Sequence, residues 1–353
     1  MFTASASRAA FQERWSGGLP LDGFALNHSA EDRRLLAVKK LIAAGLSKDL
    51  RPVVKAVYVG YARESIMINA EAVRMFGQAP FIAIYPRLDI ALRCAVGLHE
   101  ASLDLARRAL GAGGLVTPDQ VADWMDTPWR DLRSWAALTR VVVTGSTKQA
   151  MDASLKVDHL LALAPADEKA RRPIRLEYCW TFLVAHELGH VLLGHIGGAP
   201  QAAVAAAKAA LHAVGLLSPP TNQELECDVL GVLFGCVRPN ERPPLDAIRA
   251  AARHAQAGDS LVALMVAITA AGFDAIFANP SATAGHPHPR DRLAVVYEVL
   301  AARMGRLDEL AGGRKNGPEG PEFIQRQLRQ GLPQMRSLAE AQFELVKTAL
   351  TMR

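Results

Sequence analysis

A chain of 353 residues, 50% of them hydrophobic and 21% charged, carries ample apolar material for a packed core, which excludes an intrinsically disordered protein. Its net charge of +5 comes from 40 Lys and Arg against 35 Asp and Glu, with no run of five basic residues. The surface therefore reads as mildly basic and solvated, and no nucleic-acid partner is expected.

The four cysteines, Cys94, Cys179, Cys227 and Cys236, form no C-x-x-C pair. Neither a zinc knot nor a disulfide scaffold is indicated, and thiols in a reducing, cytoplasmic compartment fit best. The opening residues, MFTASASRAAFQERW, lack the apolar stretch of a secretory signal.

Ser29 with Asp32 reads as a capping box before LLAVKKLIAAGL, whose apolar residues Leu35, Val38, Leu41 and Ile42 keep helical spacing; the helix should stop near Gly45. Three short runs follow at 53–60, 65–69 and 81–85. They are rich in β-branched residues and separated by turn signals, which predicts a small antiparallel sheet.

Beyond Tyr85 the pattern is almost wholly helical. The segment LDIALRCAVGLHEASLDLARRAL carries a helical stripe that ends at GAGG, and Thr117, Pro118 and Gln120 offer the start of another helix. The polar stretch 165–173 reads as a hinge, and 197–223 as an Ala-rich helix framed by Gly and Pro.

The longest apolar run, SLVALMVAITAAGF, has 14 residues, short of the ~20 needed to span a bilayer. It reads as a buried helix, and no membrane insertion is expected. The breaker cluster 311–322 sets off a C-terminal amphipathic helix. The expected organisation is thus one domain over 1–310, with a helix and sheet at 28–92, a helical insertion at 93–172 and the motif-bearing helices at 173–310. A linker and a helix follow over 311–353.

The chemistry concentrates in VAHELGHVLLGHIGG, where polar residues interrupt an otherwise apolar helix. His186 and His190 stand four residues apart, so both imidazoles project from one helical face, close enough to bridge a single cation. Glu187 lies beside them, completing H-E-x-x-H, the pattern in which two histidines hold zinc and the glutamate handles the proton of a water.

A hydrolytic zinc site needs a third protein ligand, and NQELECDVLG supplies one downstream. Glu224 and Asp228 are again four apart, so one can ligate while the other accepts the N–H of a ligating histidine. Glu226 competes with Glu224 but lies on another helical face. His195, nine residues after His186 on a continuous helix, should point to the opposite side and serve only the helix end. Cys227 and Cys236 read as small buried hydrophobes, and His288 as exposed loop.

His186, Glu187, His190, Glu224 and Asp228 together resemble the gluzincin metallopeptidases, with H-E-x-x-H followed by E-x-x-x-D. The metzincin pattern fails, because Leu193 and Ile196 stand where it requires Gly and His. NAEA at 69–72, the strand FIAIY and GHPHPRDRL at 285–293 extend the resemblance to the HtpX and CAAX-prenyl-protease lineage. His286, Pro287 and Arg292 match its H-P-x-x-x-x-R element. A gap of about a hundred residues between NAEA and HELGH, and the missing membrane helices, look more like the Lit-type phage-exclusion peptidases.

The resemblance implies a mostly helical α+β, zincin-like fold and a cytoplasmic zinc endopeptidase acting on a protein or peptide substrate. His186, His190 and Glu224 would ligate Zn2+, Asp228 would support a ligand, and Glu187 would act as general base. His286 or Arg292 would stabilise the oxyanion. The substrate would lie extended along an edge of the small sheet, with a partner-triggered protease as one expected form. The competing expectation is a regulatory or sensor protein that keeps the zincin-like fold without proteolysis.

Overall fold

The computed structural model describes residues 2–16, 28–62, 70–111, 130–216, 220, 222–236, 287, 291–292, 294–300, 302, 337–338, 341–342, 345–346 and 348–349. These residues are mostly helical and carry one small sheet. In chain order come α1 (Ala4–Ser16), α2 (His28–Gly45), α3 (Arg51–Ala56), β1 (Tyr58–Tyr61), β2 (Ala70–Val73), β3 (Phe81–Ile84) and α4 (Arg87–Gly111). Then follow α5 (Leu132–Thr144), α6 (Thr147–Ala162), α7 (Ala166–Leu192), α8 (Gln201–His212) and α9 (Gln223–Leu230), which runs into a π-helical turn at Gly231–Cys236.

The chain divides into two compact units. The first comprises Met1–Leu88, Trp180–His254 and Glu298–Arg314, and the second Asp89–Cys179, Ala255–Tyr297 and Lys315–Arg353. Among the described residues no helix is long and apolar enough to cross a membrane. The 14-residue apolar run, the Thr117 helix start and most of the C-terminal segment lie outside the described residues, although Ser337, Leu338, Ala341 and Gln342 are helical.

In the first unit the sheet is mixed rather than antiparallel. Its order is β1-β3-β2, with β1 parallel to β3 and β2 antiparallel to it. The reason lies in β3: all four of its residues, Phe81 to Ile84, are buried, so this short apolar strand takes the centre and leaves β2 at an edge. Phe11 of α1 packs edge-on to Phe81, with ring centroids 5.5 Å apart.

The expected strand over 53–60 is also corrected, because residues 51–56 form α3 and only Tyr58–Tyr61 extends. Pro52 sits in the first turn, where its fixed φ favours a helix start, while Val53 and Val54 are buried on the helix. An apolar β-branched run of this length reads equally as a strand or as one buried helical turn. The expected strand at 65–69 lies outside the described residues, and β2 begins at Ala70. α2 ends at Gly45 as its sequence indicates, but it already begins at His28, one residue before Ser29.

The second unit contains α5 and α6 packed together. Their turn is fixed by a capping box in which Ser146 and Gln149 bond reciprocally. The polar stretch at 165–173 is not a hinge. α7 runs through it from Ala166, with Pro173 inside the helix. An interior proline costs a helix about 3 kcal/mol, yet α7 continues through it, and the same segment carries buried ion pairs. Arg172 and Arg175 donate to Glu100 at 2.6 and 2.9 Å, with Glu100 only 5% exposed.

Candidate metal centre

The centre lies in the first unit, on the C-terminal half of α7 and on α9. Residues 180–189 of α7 are buried without a break, so the polar groups there must find partners within the protein. α9 starts at Asn222, whose side chain caps it by accepting from the Glu224 N–H at 2.7 Å.

Small residues let α9 and the π-turn approach α7 closely. A Cβ added at Gly189 would sit 3.1 Å from Cys227 Sγ, one at Gly231 2.9 Å from the Phe182 ring, and one at Gly235 2.8 Å from the Thr181 carbonyl oxygen. A methyl group would crowd Cys227 at Gly189 and push on the Phe182 ring at Gly231, and at Gly235 it would meet backbone that cannot turn aside. The approach brings the H-E-x-x-H face onto the E-x-x-x-D face.

His186 Nδ1 lies 2.9 Å from Asp228 Oδ1, and His186 Nε2 lies 3.2 Å from Glu224 Oε2. Asp228 is fully buried (0% exposed). A buried carboxylate fixes the proton on Nδ1, which turns the Nε2 lone pair toward Glu224. His190 Nε2 faces the other oxygen of the same carboxylate, at 3.5 Å. One donor atom each from His186, His190 and Glu224 lies within 4.8 Å of the others.

These separations suit a cation. With zinc bonds of ~2.0–2.2 Å, neighbouring ligands of a tetrahedron stand roughly 3.3–3.6 Å apart, against 3.2 and 3.5 Å between imidazole and carboxylate here. Two neutral imidazoles and a carboxylate are also the donor set of hydrolytic zinc sites. Burial, with His186 nearby, lowers the His190 pKa to about 4 against the pull of Glu224, so the ring is neutral and able to ligate at ordinary pH.

Glu187 is 7% exposed, and its Oε2 accepts the backbone N–H of Ala72 at 2.7 Å. This bond engages one of its two oxygens and joins α7 to the edge strand. The bond has no local signature across the 115 positions that separate the two residues, although Ala72 belongs to the NAEA segment that the resemblance singles out.

The reading of His195 is corrected. α7 ends at Leu192, and Gly194 adopts φ +80°. The His195 N–H bonds to the His190 carbonyl at 3.0 Å and the Gly194 N–H to the Val191 carbonyl at 3.2 Å. This paired closure reverses the chain. His195 therefore folds back beside His190, with their Nδ1 atoms 3.1 Å apart, while its Nε2 meets Glu226 Oε2 at 3.0 Å. Gly194 was the signal that a continuous helix should not be extended to residue 195.

Glu226 thus serves His195, and Glu224 faces the histidine pair. Cys227 is buried, 3.6 Å from His195 Nδ1, and joins His190 and His195 in a second group of mutually close donors. Burial, reinforced by the surrounding carboxylates Glu187, Glu224, Asp228 and Glu226, pushes its thiol far above the usual range, which keeps it protonated.

The structure therefore brings together His186, Glu187, His190, Glu224 and Asp228. His286 lies outside the described residues. Arg292 is helical, 8% exposed and part of the second unit, whereas the histidine–carboxylate group belongs to the first. No protein-family model, no curated protein and no solved structure matches the chain.

Proposed function

We propose that the protein is a zinc-dependent endopeptidase of the gluzincin kind. The observation that carries this reading is the convergence of two imidazole Nε2 atoms on the Glu224 carboxylate, with His186 held from behind by Asp228. His186, His190 and Glu224 are the residues that would hold the ion. Bound there, zinc would polarise a substrate carbonyl and bring the pKa of a water to about 7.

The protein's own contribution is position and proton transfer. Glu187 follows His186 directly and is anchored through Oε2 to Ala72, which suits it to take a proton from water and return it to the leaving amine. Asp228 maintains the His186 tautomer. β2 is an edge strand whose Ala72 N–H points away from β3 to Glu187. By strand alternation Ala70 shares that outer side, and an extended peptide pairing there would run past Glu187.

The deciding experiment incubates wild type and Glu187→Gln with a native cell lysate and identifies new protein N-termini by mass spectrometry, with zinc content measured in parallel. Termini should form with wild type alone, at a rate about 10²–10⁴ above the variant, while both proteins hold zinc. Equal cleavage by the two would sink the assignment of Glu187, and zinc with no cleavage in either would favour a sensor that binds a partner.

A further inference from the structure

His190 presents Nε2 to Glu224 at 3.5 Å and Nδ1 to His195 Nδ1 at 3.1 Å. A neutral imidazole has one lone pair and one N–H. If Nε2 supplies the lone pair to a cation, as the proposed function requires, Nδ1 carries the proton and must donate it. His195 Nδ1 is the atom in place to accept.

His195 Nδ1 can accept only if its lone pair is free there, which places the His195 N–H on Nε2, facing Glu226 Oε2 at 3.0 Å. The chain of donors and acceptors then closes as His190 Nδ1–H to His195 Nδ1 at 3.1 Å and His195 Nε2–H to Glu226, with the thiol of Cys227, a weaker donor, farther from the same Nδ1 at 3.6 Å. His195 is 9% exposed by its side chain and is held by the backbone closure at Gly194, so the acceptor is fixed in direction as well as in distance.

We infer that His195 and Glu226 are positioning residues for His190, fixing its tautomer and ring orientation so that Nε2 is offered to the cation. This inference rests on the metal reading above and does for His190 what Asp228 does for His186. The two ligands are held by different means: a buried carboxylate directly, and a carboxylate acting through a second imidazole.

The competing use of the same atoms is a second cation on His190 Nδ1, His195 Nδ1 and Cys227 Sγ. That arrangement takes the Nδ1 lone pair of a ring whose Nε2 is already committed, so both sites can fill only if His190 loses both protons. The hydrogen-bonded chain needs no such loss.

The test measures the Zn2+ dissociation constant of the full chain by competition with a chromophoric chelator, for wild type, His195→Ala, His195→Asn and Glu226→Gln. Folding of each variant is checked by circular dichroism, and peptide cleavage is assayed separately. Asn carries an acceptor oxygen one bond from Cγ, as Nδ1 is in His, so it can still receive the His190 proton.

His195→Ala should bind zinc about 10–100-fold more weakly, and His195→Asn should recover most of that loss. In zinc-loaded protein, nitrogen-15 NMR should show a slowly exchanging His190 Nδ1–H in wild type and His195→Asn, and the same proton exchanging much faster with solvent in His195→Ala, where it has lost its acceptor. Glu226→Gln should fall between wild type and His195→Ala.

Equal zinc affinity in wild type and His195→Ala overturns the inference, as does a folded His195→Asn that binds as weakly as the alanine variant. Two zinc ions per chain, with a thiolate-to-cobalt absorption band that disappears in Cys227→Ser, would overturn it in favour of the second cation. If the affinity pattern holds but zinc-loaded wild type cleaves no peptide, the peptidase reading fails and the positioning role stands.

Discussion

At the residue scale, His190 shows how surroundings set chemistry before any ligand arrives. Its pKa falls to about 4, first through burial and then through His186, whereas an unfolded chain returns it to about 6.5. Between those values the unfolded state binds more protons than the folded one, so stability must rise with pH across that window and fall as the solution is acidified. Metal-free wild type should lose melting temperature as pH drops from about 6.5 toward about 4. A folded His190→Leu variant should show a shallower decline, measured by thermal scans in chelator-treated buffer, and parallel curves would refute the claim.

The scale of elements is where proximity between helices is decided. Gly235 faces the Thr181 carbonyl, and a Cβ there would come within 2.8 Å of that backbone oxygen. Backbone cannot rotate away as a side-chain tip can, so Gly235→Ala should destabilise the protein by about 1–3 kcal/mol. Urea unfolding would show it as a lower midpoint with unchanged slope. Zinc affinity should fall as well, because Glu224 precedes the same π-turn on α9.

Sequence reasoning was strongest at this scale where spacing carries the information. His186, His190, Glu224 and Asp228 were legible because 3.6-residue periodicity places i and i+4 on one face whatever surrounds the helix. It failed where a backbone reversal intervened, as at His195, and where a short β-branched run was ambiguous, as at Val53 and Val54. It failed again at Pro173, whose helix persists beside an ion-pair cluster formed with Glu100, more than 70 positions away. Ala72 against Glu187 belongs to the same class: contact between distant segments has no local signature.

At the scale of the whole molecule, the division into two units has a thermodynamic corollary. Regions that pack mainly within themselves open together. Cys94 and Cys179 lie in one unit and Cys227 in the other, and all three are buried. Burial pushes the Cys94 thiol up to about 12, so reactivity must await opening. Native-state alkylation in low denaturant, followed residue by residue by mass spectrometry, should label Cys94 and Cys179 at matched rates and Cys227 at a different one. A single common rate would mean that the molecule opens as one body.

The proposed site is also assembled in a definite order as the chain is made. Ala72 emerges first, His186 and Glu187 follow 114 to 115 positions later, and Glu224 comes 38 positions after His186. At ribosomal rates of about 5–20 residues per second, that last interval lasts roughly 2–8 s. During it the nascent chain exposes two histidines without the carboxylate on which they converge. A peptidase of the proposed kind would thus withhold its cutting power until Glu224 has left the ribosome, which would shield the growing chain and its neighbours from premature cleavage.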